Sequence, residues 1–408
     1  GLIRDKNGQK MSKSKGNILD PLDVIDGIDL KTLTEKRTQG LMQPEMGQRI
    51  IKETKKEFPN GIPEYGTDAL RFTFAIQATT GRDIRLDLNR VEGYRNFCNK
   101  LWNAARFVKM NTNDFKYELE TEKQTDSNIV DLWIQSKLSS LLPNIEKNFN
   151  EYRLDRASNG LYEFIWNDYC DWYLELSKSF LNDSNKTESQ KSQMRNNLIQ
   201  VLEISLRALH PIIPFITEEI WQSLSTKNNL KSIMTQPFPR NKNLESNKDS
   251  VAIIEWLKVF VTHVRQIRSE MSIPPKKKIN ILVKGSSKLD MRNLDQTMSY
   301  IKDLASIDKI TIIKEKDDVP ISAIALLGNI KIFIPLEGLI DIEEEKKRLN
   351  RKYEKILNEI TSMNNRLSSE GFINKAPSDV VDELKIKYKN AEFDKKRMEE
   401  QIKMLSLS

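Results

Sequence analysis

The spacing of apolar residues along the chain passes through four patterns, and each predicts a different architecture. From Gly1 to about Leu88, short mixed runs are punctuated by Gly16, Pro21, Gly61, Pro63 and Gly66, with a short helix expected from Asp68 and a polar turn at Gly81-Arg82-Asp83. Such punctuation reads as the edge of an α/β domain. From about Asn89 to Leu224, apolar residues recur every three or four positions, as in Phe97, Leu101, Ala104, Ala105 and Val108, or Leu198, Val201, Leu202 and Leu209. That period puts them on one face of a helix, so a helical bundle is expected. Its connectors are polar, notably Asn182 to Gln190, and His210-Pro211 and Pro214 break its last pair of helices. A linker rich in Lys, Asn and Ser follows from about Thr226 to Ser250. Beyond it a helix through His263, alternation at Ile279, Ile281 and Val283, a second helix and β-like segments ending near Pro335 predict a small α/β domain.

From Ile340 the apolar positions fall at Leu349, Tyr353, Ile356, Ile360, Met363 and Leu367, steps of four and three that define a heptad seam. A second seam runs through Val381, Leu384, Tyr388, Ala391, Met398, Ile402 and Leu405, with Lys395 its one polar member. Gly371 and Pro377 lie between the two, where no continuous helix would hold them, and Ser378 and Asp379 are candidates to cap the second helix. The expectation is an antiparallel helical hairpin whose arms, at 1.5 Å per residue, reach roughly 40 Å. Heptads alone fit a dimerisation coiled coil or a solvated helix pair as well as an RNA-contacting arm. Lys346, Lys347, Arg348, Arg351 and Lys352, with Lys395, Lys396 and Arg397, would lie along RNA phosphates in the last case and would be solvated faces in the others.

Composition narrows this picture. A chain of 408 residues with 38% apolar content has material for two to four cores and excludes global disorder. The longest apolar runs, Ile199 to Leu209 and Ile321 to Leu327, are too short or too interrupted to span a bilayer, and no secretory leader opens the chain, so a cytosolic protein without a membrane partner is expected. Gly1 is followed at once by the polar turn Asp5-Lys6-Asn7-Gly8, which suggests a chain entered in mid-domain. Cys98 and Cys170, with His210 and His263, supply neither a zinc cluster nor a disulfide framework, so no metal site is expected. A net charge of +7 favours polyanionic partners without specifying one.

The chemistry concentrates near the start, in Lys10-Met11-Ser12-Lys13-Ser14 followed by Lys15, Gly16 and Asn17. Three lysines in six residues fit a solvated loop. They also fit neutralisation of a polyphosphate, because an ammonium on a flexible stem is a compact, reorientable point charge. When a nucleophile attacks the α-phosphate of ATP, negative charge accumulates on departing pyrophosphate, and lysines placed there favour the transition state over the ground state.

The literal string Lys-Met-Ser-Lys-Ser resembles the signature loop of class I aminoacyl-tRNA synthetases at all five positions. Its flanks extend the likeness: Lys15-Gly16-Asn17-Ile18-Leu19-Asp20-Pro21 resembles the large synthetases for aliphatic amino acids, and Tyr65-Gly66-Thr67-Asp68-Ala69-Leu70-Arg71 resembles the junction of catalytic fold and bundle. Gly81-Arg82-Asp83-Ile84, the stretches Arg90 to Phe97 and Asn99 to Ala104, Asp171 to Leu176 and His210 to Glu218 look like the valyl members. Ser369-Glu370-Gly371-Phe372 to Lys375-Ala376-Pro377, between two heptad helices, looks like the valyl tRNA-binding arm rather than the zinc module common in isoleucyl enzymes, and leucyl enzymes lack such an arm.

The resemblance implies a mainly α chain in four parts: a remnant of the class I Rossmann catalytic domain with its signature loop and a stem-contact region (1–88), a helical-bundle anticodon-binding domain (89–245), a small α/β junction domain (246–338) and a coiled-coil tRNA-binding arm (339–408). It implies that Lys10 and Lys13 contact the phosphates of ATP, which Mg2+ accompanies, with Lys13 the stronger candidate, while Ser12 and Ser14 shape and tether the loop and Met11 belongs to the same ATP-binding string. Partners would be ATP, valine and tRNA(Val), and the protein a monomer. Arg95, Lys100 and Arg106 are candidate tRNA contacts on one helix, though each also reads as a solvated residue. Trp102, Trp133, Trp166 and Trp172 sit at core-like spacing, His210 and His263 read as structural, hydrogen-bonded residues, and Asp168 and Asp171 as helix-surface carboxylates. The family's His-containing signature, its valine pocket and its editing domain have no counterpart here, so the chain alone is expected to be inactive. A non-catalytic tRNA-binding module, or an isoleucyl or leucyl relative, is the alternative.

Overall fold

The structure, a computed structural model, describes residues 1–41, 43–112, 128–224, 232–240, 244, 246–285, 287–339, 342–369 and 378–406. It is mainly α, as the periodicity predicts. The backbone divides into two compact units, Gly1–Ile254 and Glu255–Ser408.

The first unit opens with β1 (Ile3–Arg4), which pairs in parallel with β2 (Ile84–Arg85). Between them lie α1 (Pro21–Asp26), α2 (Leu30–Thr38), α3 (Gly47–Glu57) and α4 (Thr67–Gln77). Asp20 caps α1 by accepting the Leu22 amide, and Asp29 caps α2 through the amides of Lys31 and Thr32. A small core of Val24, Leu33, Ile62, Tyr65, Leu70 and Val91 holds these elements together. The bundle follows as α5 (Leu88–Thr112), α6 (Ile129–Asn150), α7 (Leu154–Glu163), a π-helical stretch (Phe164–Tyr173), α8 (Leu174–Asn182), α9 (Glu188–Leu209) and α10 (Pro214–Ser223). Its predicted core residues Phe97, Leu101, Val108, Leu198, Val201, Leu202 and Leu209 are all buried.

Helix α4 docks on the bundle through rings. Phe72 lies 5.0 Å from both Tyr94 and Phe97, Phe97 lies 5.1 Å from Tyr162, and Tyr162 stacks on Trp166 at 5.6 Å. Each such ring removes roughly 150–250 Å² from water, so the ladder is a main source of cohesion at this joint. Trp133 is fully buried, as its spacing predicts, but Trp102 is 39% exposed. It occupies the solvent edge of a stripe whose centre is taken by Leu101, Ala104 and Ala105.

In the second unit, α11 (Lys248–Glu270, which begins in the first) and α12 (Lys288–Ala305) accompany β3 (Ile279–Lys284), β4 (Ile307–Ile312), β5 (Ser322–Leu327) and β6 (Ile330–Pro335). The sheet order is β4-β3-β6-β5, with β3 and β4 parallel across α12 and the other pairs antiparallel. Buried Arg268 at the end of α11 donates to the carbonyls of Ala305, Pro275 and Lys277 at 3.2, 3.0 and 2.6 Å, closing the loop that enters β3. His263, in the same helix, keeps a buried Nδ1 without a hydrogen bond among the described residues.

The heptad segment forms α13 (Ile342–Leu367) and α14 (Ser378–Ser406). Leu349, Ile360, Val381 and Ala391 are buried, and Tyr353, Ile356, Met363, Leu367, Leu384, Tyr388, Met398 and Ile402 are half-buried, so both seams face inward. Tyr353 donates to Glu399 at 2.8 Å across the pair, as antiparallel helices require. Gly371 to Pro377 and the side chains of Ser378, Asp379 and Leu405 lie outside the described residues.

Candidate functional site

The loop of lysines is anchored from below. Past β1, the Asp5 carboxylate accepts the amides of Asn7 and Gln9 at 3.0 and 2.7 Å, forming a polar turn. The same carboxylate accepts from Asn17 Nδ2 at 2.9 Å, while Asn17 Oδ1 accepts the Ser12 amide at 3.0 Å and Nδ2 also reaches the Lys10 carbonyl at 3.3 Å. One asparagine thus bridges the two stems of residues 10–17. Inside, Lys13–Lys15 make a single 3-10 turn that Gly16 ends at φ +64, a left-handed conformation glycine adopts without steric cost. Arg4 pairs with Asp83, which also accepts the Leu2 amide at 2.7 Å, so the Gly81 to Ile84 segment fixes the start of the loop.

Lys10, Lys13 and Lys15 are exposed, and none has a carboxylate partner among the described residues. Their neighbours differ: Lys6 pairs with Glu57 at 2.9 Å, Lys36 with Asp23 at 2.5 Å and Arg37 with Glu57 at 3.5 Å. Met11 and Ser12 are half-buried, and the Ser14 side chain lies outside the described residues. A cleft of about 430 Å³ lies behind the loop, lined by Asp5, Lys15, Asn17, Arg37 and Glu57 among others. Charges of both signs line it, and Lys10 and Lys13 do not.

The three candidates on α5 fare differently. Lys100 is engaged, with its Nζ 2.6 Å from Asp171 and 3.8 Å from the centre of the Trp166 ring. Arg95 donates to the Glu64 carbonyl at 2.9 Å and lies 5.4 Å over Tyr65, a contact between α5 and the segment that leads into α4. Arg106 is exposed. On the arm, Lys347, Arg351, Lys352 and Lys396 are exposed, Lys395 lies on the half-buried seam, and Arg348 donates to the Glu270 carbonyl at 3.1 Å. The side chains of Lys346 and Arg397 lie outside the described residues.

The burial of several carboxylates escaped the sequence reading, Asp131 and Asp68 among them. Asp131 is held by Tyr173 Oη at 2.8 Å, Asn197 Nδ2 at 2.7 Å and Asn128 Nδ2 at 2.7 Å, and burial pushes its carboxyl up to about 7 against these donors. Asp68 accepts the amides of Ile216 and Phe215, and burial raises it too. His210 Nδ1 lies 2.8 Å from Thr217 Oγ1, and burial lowers its pKa. Asp168 pairs with Lys137 at 3.2 Å. Burial pushes both thiols, Cys98 and Cys170, up to about 12. Among the described residues no group of three or more His, Cys, Asp or Glu side chains is placed to hold a metal ion, and no helix is long and apolar enough to cross a membrane.

Residues 1–87 match the model of tRNA synthetases class I (I, L, M and V), residues 131–283 the anticodon-binding domain of tRNA ligase, and residues 341–406 the valyl tRNA synthetase tRNA binding arm. The valine–tRNA ligase of Psychrobacter arcticus is 46% identical over 394 residues, 95% of this chain and 40% of that protein. That of Acinetobacter baylyi is 44% identical over 395 residues, 96% and 40% respectively. The chain therefore spans about 40% of the length of these curated relatives. A solved ternary complex of Agrobacterium radiobacter K84 LeuRS with tRNA and LeuAMS aligns with a TM-score of 0.39 at 14% identity, covering 77% of this chain and 32% of that one, too distant to carry an argument. With the segments that carry the lysine loop and the arm each matched in order, the chain is similar over nearly its whole length to valine–tRNA ligases of the class I aminoacyl-tRNA synthetases.

Proposed function

We propose that this chain supplies the ATP-phosphate loop and the tRNA-docking parts of a valine–tRNA ligase, which activates valine with ATP to valyl-adenylate and transfers valine to tRNA(Val). The observation that carries the reading is the state of Lys10, Lys13 and Lys15, exposed and without carboxylate partners among the described residues, on a loop whose backbone Asn17 and Asp5 pin. Groups so held need little reorganisation to receive the phosphates of ATP with its Mg2+. As the valine carboxylate attacks the α-phosphorus, the bond to the bridging oxygen breaks and charge gathers on pyrophosphate. An ammonium beside the β- and γ-phosphates gains more attraction there than in the ground state. Lys13, which opens the 3-10 turn, carries the larger share, and Lys10 assists.

The remaining parts divide the work of holding RNA. The bundle takes the anticodon stem and loop, and the exposed bases Lys347, Arg351, Lys352 and Lys396 of the arm neutralise phosphates. The reading assigns no zinc to these residues and treats the protein as a monomer. In the full-length ligase, Lys13→Ala should slow ATP–pyrophosphate exchange about 10²–10³-fold while moving the KM for valine far less. Equal losses in both would refute the transition-state role. The isolated chain should bind tRNA in a salt-sensitive manner and catalyse no exchange; robust exchange by it would defeat the proposed division.

A further inference from the structure

Both stems of the lysine loop are tied to a single side-chain chain on the α2–α3 hairpin. Before the loop, Lys6 Nζ meets Glu57 Oε1 at 2.9 Å. Glu57 Oε2 meets Arg37 Nη1 at 3.5 Å, and Arg37 Nε donates at 2.6 Å to the carbonyl of Gly16, the residue that ends the 3-10 turn. The Arg37 side chain is only 9% exposed, and its guanidinium lies 5.6 Å over the Phe58 ring. On the other side, Ile50 of α3 packs so closely that a Cβ on Gly16 would come within 2.6–2.9 Å of its side-chain carbons.

We propose that Arg37 is a positioning residue for the reaction, a latch that sets the Lys13–Lys15 turn through the Gly16 carbonyl while Glu57 holds the guanidinium in place. The proposal rests on the ATP reading above and adds to it a residue that touches no substrate. The geometry needs an arginine. Its planar fork donates through Nε to a carbonyl and through Nη1 to a carboxylate at once, whereas a lysine ammonium on a single flexible stem cannot reproduce that paired direction. By taking the Gly16 carbonyl at the end of the turn, the latch satisfies a backbone acceptor and fixes the backbone in the same contact. Because Lys13 opens the turn that Gly16 ends, freeing Gly16 lets the Lys13 ammonium wander from the position in which it meets the phosphates, and small misplacements cost large factors in rate.

The test uses the full-length ligase with Arg37→Met, which keeps the apolar stem over Phe58 and removes every donor, beside Arg37→Lys and Lys13→Ala. Hydrogen exchange at the Lys15 and Gly16 amides, bonded to the Ser12 and Lys13 carbonyls at 3.1 and 3.0 Å, reports the turn. In Arg37→Met these amides should exchange about tenfold faster or more, with α4 and β2 unchanged as proof of an intact fold. The kcat of pyrophosphate exchange should fall about tenfold or more with the KM for valine unmoved, and Arg37→Lys should recover only part of the loss. Unchanged loop exchange, or a freed loop with unchanged kcat, overturns the latch. If Lys13→Ala is harmless, the ATP reading itself fails; if Lys13→Ala is damaging and Arg37→Met is not, only the latch does.

Discussion

Asp68 Oδ2 accepts the backbone amide of Ile216 at 2.7 Å, and Asp68 Oδ1 that of Phe215 at 3.4 Å. A carboxylate on α4, in the segment that carries the lysine loop, therefore caps the first turn of α10, the last bundle helix, where free amides and the helix dipole favour negative charge. Three residues on, Arg71 donates to the carbonyls of Ile212 and Pro211 at 2.9 and 3.1 Å. The α4 segment and the bundle are thus joined by hydrogen bonds in both directions as well as by packing.

Removing that cap should loosen the joint. Asp68→Ala leaves two amides at the start of α10 without their acceptor, at a cost of about 2–3 kcal/mol. Urea melts should show this loss, and hydrogen exchange at Phe215 and Ile216 should quicken in step. Melts within error of the parent would show that the cap is dispensable.

Asp131 should make the bundle sensitive to pH in an unusual sense. Its carboxyl is pushed by burial from 3.8 to about 7, so the folded state keeps a proton that the unfolded chain releases. Stability from this group is full below the unfolded value and is lost as pH rises through the folded one, so it should decline from about pH 4 to 7. Asp131→Asn cannot titrate, and its stability should lack that component of the slope. Parallel pH profiles for the two proteins would contradict the assignment.

Lys100→Ala should act on stability before it acts on RNA. It removes the ion pair to Asp171 and the cation over Trp166, worth about 1–2 kcal/mol together at a half-buried site, or roughly 2–6 °C in melting temperature. Affinity of the folded protein for tRNA should stay within about twofold, well inside the tenfold that 1.4 kcal/mol represents. A large loss of tRNA affinity without a change in melting would make Lys100 a contact after all.

The arm offers the opposite signature. Replacing exposed Lys347, Arg351 and Lys352 with alanine should leave melting and pyrophosphate exchange unchanged. It should weaken tRNA binding and flatten its dependence on salt by about 0.7–0.9 per lost phosphate contact. An unaltered salt slope would remove these residues from the interface.

Elements whose logic is local were legible in the sequence. The heptad seam could be read because each helix needs only its own period to declare its buried face, down to Lys395 as the half-buried intruder. The lysine string could be read because the chemistry sits in consecutive residues. What could not be read are contacts made across long separations: Arg37 on Gly16, Asp131 on Tyr173 and Asn197, Arg268 on its carbonyls. In sequence each is one more charged residue in a helix, and only the chain's return past it reveals a partner. Trp102 shows the reverse error, since a tryptophan one position off the stripe centre satisfies the spacing while standing 39% exposed. The strings Tyr65 to Arg71 and His210 to Glu218, each a family likeness, gain a physical meaning once Asp68 and Ile216 are seen to touch.

The two cysteines have a practical consequence. Cys98 and Cys170 are buried in the bundle with thiols that stay protonated far above neutral pH, and the thiolate is the reactive species toward alkylating reagents. Native labelling should therefore be silent. A single cysteine introduced at an exposed position of the arm, such as Lys355, or of the lysine loop would be the reactive thiol of this chain that a maleimide dye finds, so the chain is suited to fluorescence measurements that test whether arm and loop respond to added RNA and nucleotide.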